Sequence, residues 1–137
     1  MQDCCRELLQ LSLIELVKLS TNQTVAVDIP IPVQTVCELA EPKHVIFLVT
    51  TPERVSQDYY NRPGHKEIYD CIMSLSNPQK SLANTNKMLE YSTQVFLDEL
   101  FNSKMFYIMR DNNSTIECTL AMVEQYFGIN DELRNKL

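Results

Sequence analysis

Apolar residues recur at helical spacing near the start of the chain, but they occupy more than one side. Residues 3–20 are predicted to form a helix whose apolar side carries Leu9, Leu13, Leu16 and Val17. Leu11 and Ile14 fall on the other side of this helix, among charged residues that are expected to face water. Two interpretations stay open: the domain buries both sides of the helix, or Leu11 and Ile14 contact a partner subunit.

The next two segments have the patterns of β-strands. Apolar residues alternate strictly at Val25, Val27, Ile29, Ile31 and Val33. Pro30 and Pro32 fall between them and lack N–H donors, so this strand is expected at the edge of a sheet. Residues 44–50 contain a continuous apolar run, which is typical of a strand covered on both faces. A helix is expected to follow at once, because Thr51 suits the cap and Pro52 the first helical position.

Helical segments dominate the middle of the chain. They are predicted as a single turn at 36–40 and as helices at about 52–60, 65–76 and 81–101. Asn77-Pro78 separates the last two. Cys71 is expected on the buried face of the 65–76 helix, next to Ile72. The apolar side of the longest helix is expected to hold Met88, Tyr91, Val95, Phe96 and Leu100.

The last apolar segment is followed by a helix signature. Residues 104–109 suit a third strand. Ser114 and Glu117 then match a capping box, and Gly128 suits the end of the helix that this box begins. The apolar side of this helix is expected to carry Ile116, Leu120, Val123 and Phe127. A hairpin with an Asn-Asn turn is the alternative for residues 104–122.

These elements predict the α+β class. We expect a helix-rich single domain over residues 1–137, with about five helices around a small two- or three-stranded sheet. A chain of 137 residues is a common size for one domain. A chain of this length can bury roughly two-thirds of its unfolded surface, so one hydrophobic core needs no disulfides.

The charge and the cysteine content of the chain indicate which partners and which cellular location to expect. The chain carries 18 acidic and 12 basic residues, a net charge of −6, and no cluster of more than two neighbouring basic residues. Because nucleic-acid affinity comes mainly from basic groups on phosphates, we expect no nucleic-acid partner. No apolar run reaches the roughly 20 residues that span a bilayer, and the opening MQDCCRELLQ does not resemble a secretion signal, so no membrane partner is expected. Five cysteines without framework spacing indicate reduced thiols and a cytoplasmic, or else nuclear, location.

The corner after residue 50 resembles the start of many phosphate-binding sites. Such a cradle needs glycines, yet Gly64 and Gly128 are the only two in the chain and both lie elsewhere. Glu53 would also repel a phosphate from the first helical turn. We therefore interpret the corner as structural. Cysteine and histidine spacing matches no structural zinc site, so neither a metal nor a cofactor is expected.

The sequence contains no convincing catalytic group. Cys71 and His65 are six residues apart on a predicted helix and should point in different directions, which does not favour a thiolate pair. We therefore expect a protein that is not an enzyme. A small cysteine-dependent enzyme that uses Cys71 or Cys118 is the alternative.

Surface residues carry the functional hypothesis. Tyr59, Tyr60 and Arg62 lie in a polar loop, and Tyr and Arg are frequent at binding hot spots. Together with Leu11 and Ile14 they are the predicted partner-binding residues. The sequence is interpreted as a non-catalytic protein–protein interaction module, an adaptor or assembly subunit of an intracellular complex, whose partner is another protein chain or a second copy in a homodimer. A small acidic dimeric chaperone that holds a client segment is the alternative, since secretion chaperones are similar in size and acidity.

Overall fold

Helices make up most of the structure. The computed structural model describes residues 2–20, 31–111 and 113–129. Its elements are α1 (Gln2–Ser20), α2 (Val33–Leu39), β1 (Ile46–Thr50), α3 (Pro52–Asp58), α4 (Lys66–Met73), α5 (Pro78–Asn102), β2 (Phe106–Arg110) and α6 (Ile116–Phe127). Short 3₁₀ turns lie at Pro42–His44 and Tyr59–Asn61. Six helices and one two-stranded sheet in these ranges confirm the predicted helix-rich α+β class.

The two strands run parallel and form a small sheet. The register places Ile46 opposite Phe106 and Thr50 opposite Arg110. Parallel neighbours require a long crossover connection, and here α3, α4 and α5 provide it. Since β2 is followed by α6, residues 104–122 form a strand, a turn and the start of a helix. The hairpin alternative is therefore wrong.

Side-chain caps begin two of the three helices of the crossover, α3 and α5. The Thr51 hydroxyl accepts a hydrogen bond from the Arg54 amide at 3.4 Å, and Pro52 is the first residue of α3, as predicted. Asn77 Oδ1 accepts from the Lys80 amide at 3.3 Å and caps α5. Asn77-Pro78 thus marks a helix start as well as the end of the preceding segment.

The cap of α6 differs from the prediction by one residue. Thr115 Oγ1, not Ser114, accepts from the Cys118 amide at 3.1 Å. The Ser114 hydroxyl donates instead to Asp111 Oδ1 at 2.8 Å and so belongs to the preceding turn. Gly128 ends the helix with a φ of 65°, a left-handed conformation that glycine adopts without steric cost.

The apolar residues predicted for one side of α5 lie on two opposite sides. Leu97 and Leu100 are buried and Phe96 is half-buried. On the outer side, the exposed residues are Met88, Tyr91 and Val95. The inward side of the preceding turns is mixed: Leu82 and Leu89 are half-buried there, and Glu90 accepts a hydrogen bond from Ser56 at 2.7 Å across the contact with α3. Polar contacts such as this one therefore share the inward side with apolar residues, which the sequence pattern did not indicate.

The hydrophobic core lies on one face of the sheet. Its buried members are Ile31, Val33, Val36, Val49, Leu97, Leu100 and Met105. Leu9 and Leu13 of α1 pack against this cluster. Successive residues of a strand point to opposite faces, so Leu48 points away from the Val49 side and stays 53% exposed. The expectation that residues 44–50 are covered on both faces is therefore wrong.

Two further predictions are corrected by the helices. Val33 begins α2 rather than ending a strand, and the rest of that predicted strand, residues 25–29, lies outside the described residues. Cys71 is exposed and not buried. The reason is that α4 buries Ile72 and contacts α5 and the Tyr59–Asn61 turn, while Cys71 lies on its outer side.

Candidate functional site

The predicted contact residues of α1 lie on its outer surface. Leu11 is 60% exposed and Ile14 is 39% exposed. Leu8, three residues before Leu11, is exposed as well. Side chains spaced by three form an inclined ridge that can pack into the groove of another helix. The described part of the domain does not seal these residues, and their binding to a partner stays a prediction.

A second row of apolar side chains lies on α6. Ile116 is 73% exposed, Leu120 and Phe127 are exposed, and Val123 is half-buried. Their spacing of four, three and four residues is that of a coiled-coil seam. We expected this row on the packed side of the helix, and that expectation is wrong for Ile116, Leu120 and Phe127.

The attachment of α6 explains why this row faces outward. The Tyr126 ring stacks on Phe106 with centroids 4.4 Å apart, and its hydroxyl donates to the Pro42 carbonyl at 2.6 Å. Thr119 is buried on the same side. At 3.6 residues per turn, the row from Ile116 lies about a quarter turn away from Thr119 and Tyr126. The aromatic anchor, rather than the most apolar side, therefore sets the orientation of α6.

Exposed apolar side chains outnumber buried ones in the described ranges. Nine apolar side chains form the buried set, and nineteen large ones are exposed. Those on the outer side of α5 include Tyr91, which is 72% exposed. Single exposed apolar residues are ordinary, but rows of them on helices are typical of surfaces that another chain covers.

Tyr59 and Tyr60 take part in an aromatic cluster and are half-buried. Tyr59 contacts the Tyr60 ring at 5.1 Å and the His65 ring at 4.4 Å between centroids, and Tyr60 contacts Tyr69 at 5.4 Å. His65 Nδ1 lies 2.8 Å from the Tyr59 carbonyl oxygen. These contacts join the 3₁₀ turn to α4. Packing therefore accounts for both tyrosines, and their predicted role in binding a partner stays a prediction.

The Tyr60 hydroxyl is enclosed. It makes no hydrogen bond of ordinary geometry with any residue that the structure describes, although the Thr85 hydroxyl lies near it. Burial disfavours the charged phenolate and raises the pKa of Tyr60, the neighbouring Tyr59 adds to this effect, and Thr85 partly opposes it. The side chain therefore stays neutral and serves packing.

Arg62 lies in different surroundings from Tyr59 and Tyr60. It is exposed and lines a cleft of about 380 Å³ at the carboxyl ends of the two strands. Arg54 and Arg110 line the same cleft. Only Arg62 is predicted from the sequence as a binding residue, because nothing in the spacing of the three arginines shows that the crossover brings them together.

The cysteines and other metal-binding side chains lie apart in the described part of the chain. Cys37, Cys71 and Cys118 are free and exposed, and no hydrogen bond there joins a thiol to a histidine ring. These residues bring together no group of three or more His, Cys, Asp or Glu side chains that could hold a metal ion. No helix within the described ranges has the length and apolar character that crossing a membrane requires.

Comparisons add no relative from which a function could be transferred. The chain matches no protein-family model, no curated protein and no solved structure. Any functional assignment must therefore come from the surfaces described above.

Proposed function

We propose that this chain is a non-catalytic protein–protein interaction module, an adaptor or assembly subunit of an intracellular complex. The observation that carries the proposal is the pair of exposed apolar rows on α1 and α6. The partner is another protein chain that lays an amphipathic helix against one or both rows, the mode of recognition that side chains at helical spacing favour.

The number of apolar side chains in each row limits how tightly that row can bind a partner. Fully burying a Leu, Ile or Phe side chain contributes about 1.5–3 kcal/mol. Three such side chains on one helix contribute at most about 5–9 kcal/mol, whereas association costs about 4–15 kcal/mol in lost freedom of motion. One row therefore supports only weak binding, and a stable complex needs both rows or further contacts around one of them.

Paired acidic substitutions test the proposal. We expect Leu11→Glu with Ile14→Glu, and separately Ile116→Glu with Leu120→Glu, to reduce the recovery of partner proteins at least tenfold. Each pair places two charges where the partner's apolar side chains would pack, which is unfavourable without a counter-charge. The measurement is affinity capture from the source cell's extract at moderate salt, with the retained proteins quantified by mass spectrometry.

A matched control lies on the same helix. Ala121→Glu with Gln125→Glu adds the same negative charges at exposed positions of α6 outside the row, and it should retain the wild-type partners. If all variants retain the same proteins as the wild type, the rows do not bind them and the proposal fails. Light scattering of the purified wild type then shows whether the partner is a second copy of the chain.

A further inference from the structure

Three of the five arginines in this acidic chain line a single cleft. Arg54, Arg62 and Arg110 face a volume of about 380 Å³, within the range of roughly 300–1,000 Å³ typical of small-molecule sites. Among the described residues of the lining, Asp58 is the only acidic one. The cleft therefore carries an excess of two positive charges, although the net charge of the whole chain is −6.

The fold places this cleft where parallel sheets bind ligands. Thr50 and Arg110 end the two strands and lie opposite each other in the register. Ligands of open α/β sheets bind outside the carboxyl ends of the strands. The Thr50 hydroxyl donates to the Arg110 carbonyl oxygen at 3.0 Å, which fixes the backbone of Arg110 at the rim of the cleft. Leu48 lies on the same sheet face as Thr50 and adds an apolar surface beside the arginines.

The three guanidinium groups differ in their partners. Arg54 Nε donates to Asp58 Oδ2 at 3.0 Å, and Arg54 Nη1 donates to the Asp111 carbonyl oxygen. Arg110 Nε is enclosed and has no hydrogen-bond acceptor among the described residues. Arg62 forms no salt bridge with any of the described residues. A buried N–H without an acceptor is unfavourable, so the described residues leave the Arg110 guanidinium incompletely satisfied, while Arg110 also lines the cleft.

We propose that this cleft binds a small organic phosphate ester. Arg62 and Arg110 hold the phosphoryl group, because the planar fork of arginine matches phosphate oxygens and the two excess charges match a dianion. The organic part of the ligand packs on Leu48. Arg54 is neutralised by Asp58 and supports the rim. This site uses side chains rather than a glycine-rich backbone, so the lack of glycines at the corner after β1 does not exclude it.

A titration followed by NMR tests the proposal. Phenyl phosphate and inorganic phosphate are added separately to isotope-labelled full-length protein in chloride buffer. We expect saturable shifts of the Arg62 and Arg110 Nε–H signals with both probes, shifts of the Leu48 methyl signals with phenyl phosphate, and tighter binding of phenyl phosphate. Arg62→Gln should weaken phenyl phosphate binding about tenfold or more, the loss that one charge-assisted hydrogen-bonded contact represents.

Two variants control for general effects. Lys87→Gln makes the same change in net charge at an exposed position of α5 outside the cleft, and it should leave the affinity unchanged. Arg62→Lys retains the charge but not the fork, and it should lose part of the affinity. Because Arg62 is exposed, its variants keep the fold even if substitutions of the half-buried Arg110 do not.

Three results would overturn the proposal. The first is an absence of saturable shifts at the arginines. The second is an equal loss of phenyl phosphate affinity in Lys87→Gln and Arg62→Gln, which would mean that basic side chains attract anions in general. The third is a phosphoserine peptide that binds ten times more tightly than phenyl phosphate, which would assign the cleft to a phosphorylated protein instead.

Discussion

A single hydroxyl group decides where α6 begins. Thr115 caps the helix, whereas Ser114 is bound to Asp111 in the turn before it. We expect Thr115→Ala to lower the free energy of unfolding by about 0.5–2 kcal/mol, because an amide of the first turn loses its acceptor. Urea denaturation followed by circular dichroism measures this. Thr115→Ser keeps the acceptor and should stay close to wild type, and a full loss in Thr115→Ser would contradict the cap.

The same turn contains a carboxyl group with an altered pKa. The Ser114 hydroxyl and the Asn113 amide donate hydrogen bonds to the Asp111 carboxylate. These bonds, the one from Ser114 more than the other, hold the pKa of Asp111 below its ordinary value. A lowered pKa in the folded state adds stability above the ordinary pKa of Asp, and this contribution is lost as the pH falls through the folded value.

Removing the main donor should reverse this shift. We expect Ser114→Ala to raise the pKa of Asp111 toward its ordinary value, as measured by an NMR titration of the carboxyl carbon. Ser92→Ala, a hydroxyl removed from the exposed side of α5, should leave that titration unchanged. An unaltered Asp111 titration in Ser114→Ala would show that the Ser114 hydroxyl does not bind the carboxylate in solution.

The orientation of α5 is the main departure from the sequence at the scale of an element. Leu100 is fully buried, and Tyr91 lies on the opposite, exposed side. We expect Leu100→Ala to cost about 2–5 kcal/mol of unfolding free energy through the cavity it leaves. Tyr91→Ala should cost no more than about 0.5 kcal/mol, as for other surface positions. Comparable losses in the two variants, measured by chemical denaturation, would contradict this orientation.

Local signals predicted most elements, and tertiary contacts set their orientation. The strand predicted at 44–50 is present as Ile46–Thr50. The Thr51-Pro52 start of α3 and the Gly128 end of α6 are confirmed, and all three follow from short-range chemistry. The orientations of α5 and α6 depend on Glu90 with Ser56 and on Tyr126 with Phe106, pairs that are distant in sequence. Apolar periodicity alone therefore marked the helices correctly but assigned the wrong side of α6, and part of the wrong side of α5, to the interior.

The candidate surfaces show the same limit. Leu11 and Ile14 stood out because they lie among charged residues of one helix, and both are exposed in the structure. The α6 row gave no such signal, since an apolar side is what any packed helix has. Arg54 and Arg110 are joined only by the parallel pairing of β1 with β2 and by the crossover between them. A site assembled across 56 positions of sequence could not be recognised from spacing.

For the whole molecule, a small core coexists with a large exposed apolar surface. If that surface is not part of the core, acidic substitutions there should leave stability nearly unchanged. We expect both paired variants, Leu11→Glu/Ile14→Glu and Ile116→Glu/Leu120→Glu, to stay within about 1 kcal/mol of the wild-type unfolding free energy. Urea denaturation of each purified variant measures this. A loss of about 3 kcal/mol or more would mean that these side chains are buried in the protein's own core.

Photo-cross-linking in the source cell tests most directly whether another chain covers these rows. A photoreactive phenylalanine analogue replaces Leu11 or Leu120, and in the control chain it replaces Gln125, which is exposed outside the α6 row. We predict a discrete cross-linked product of one partner protein from positions 11 and 120 and none from position 125. No product from the rows, or the same products from all three positions, would contradict the account.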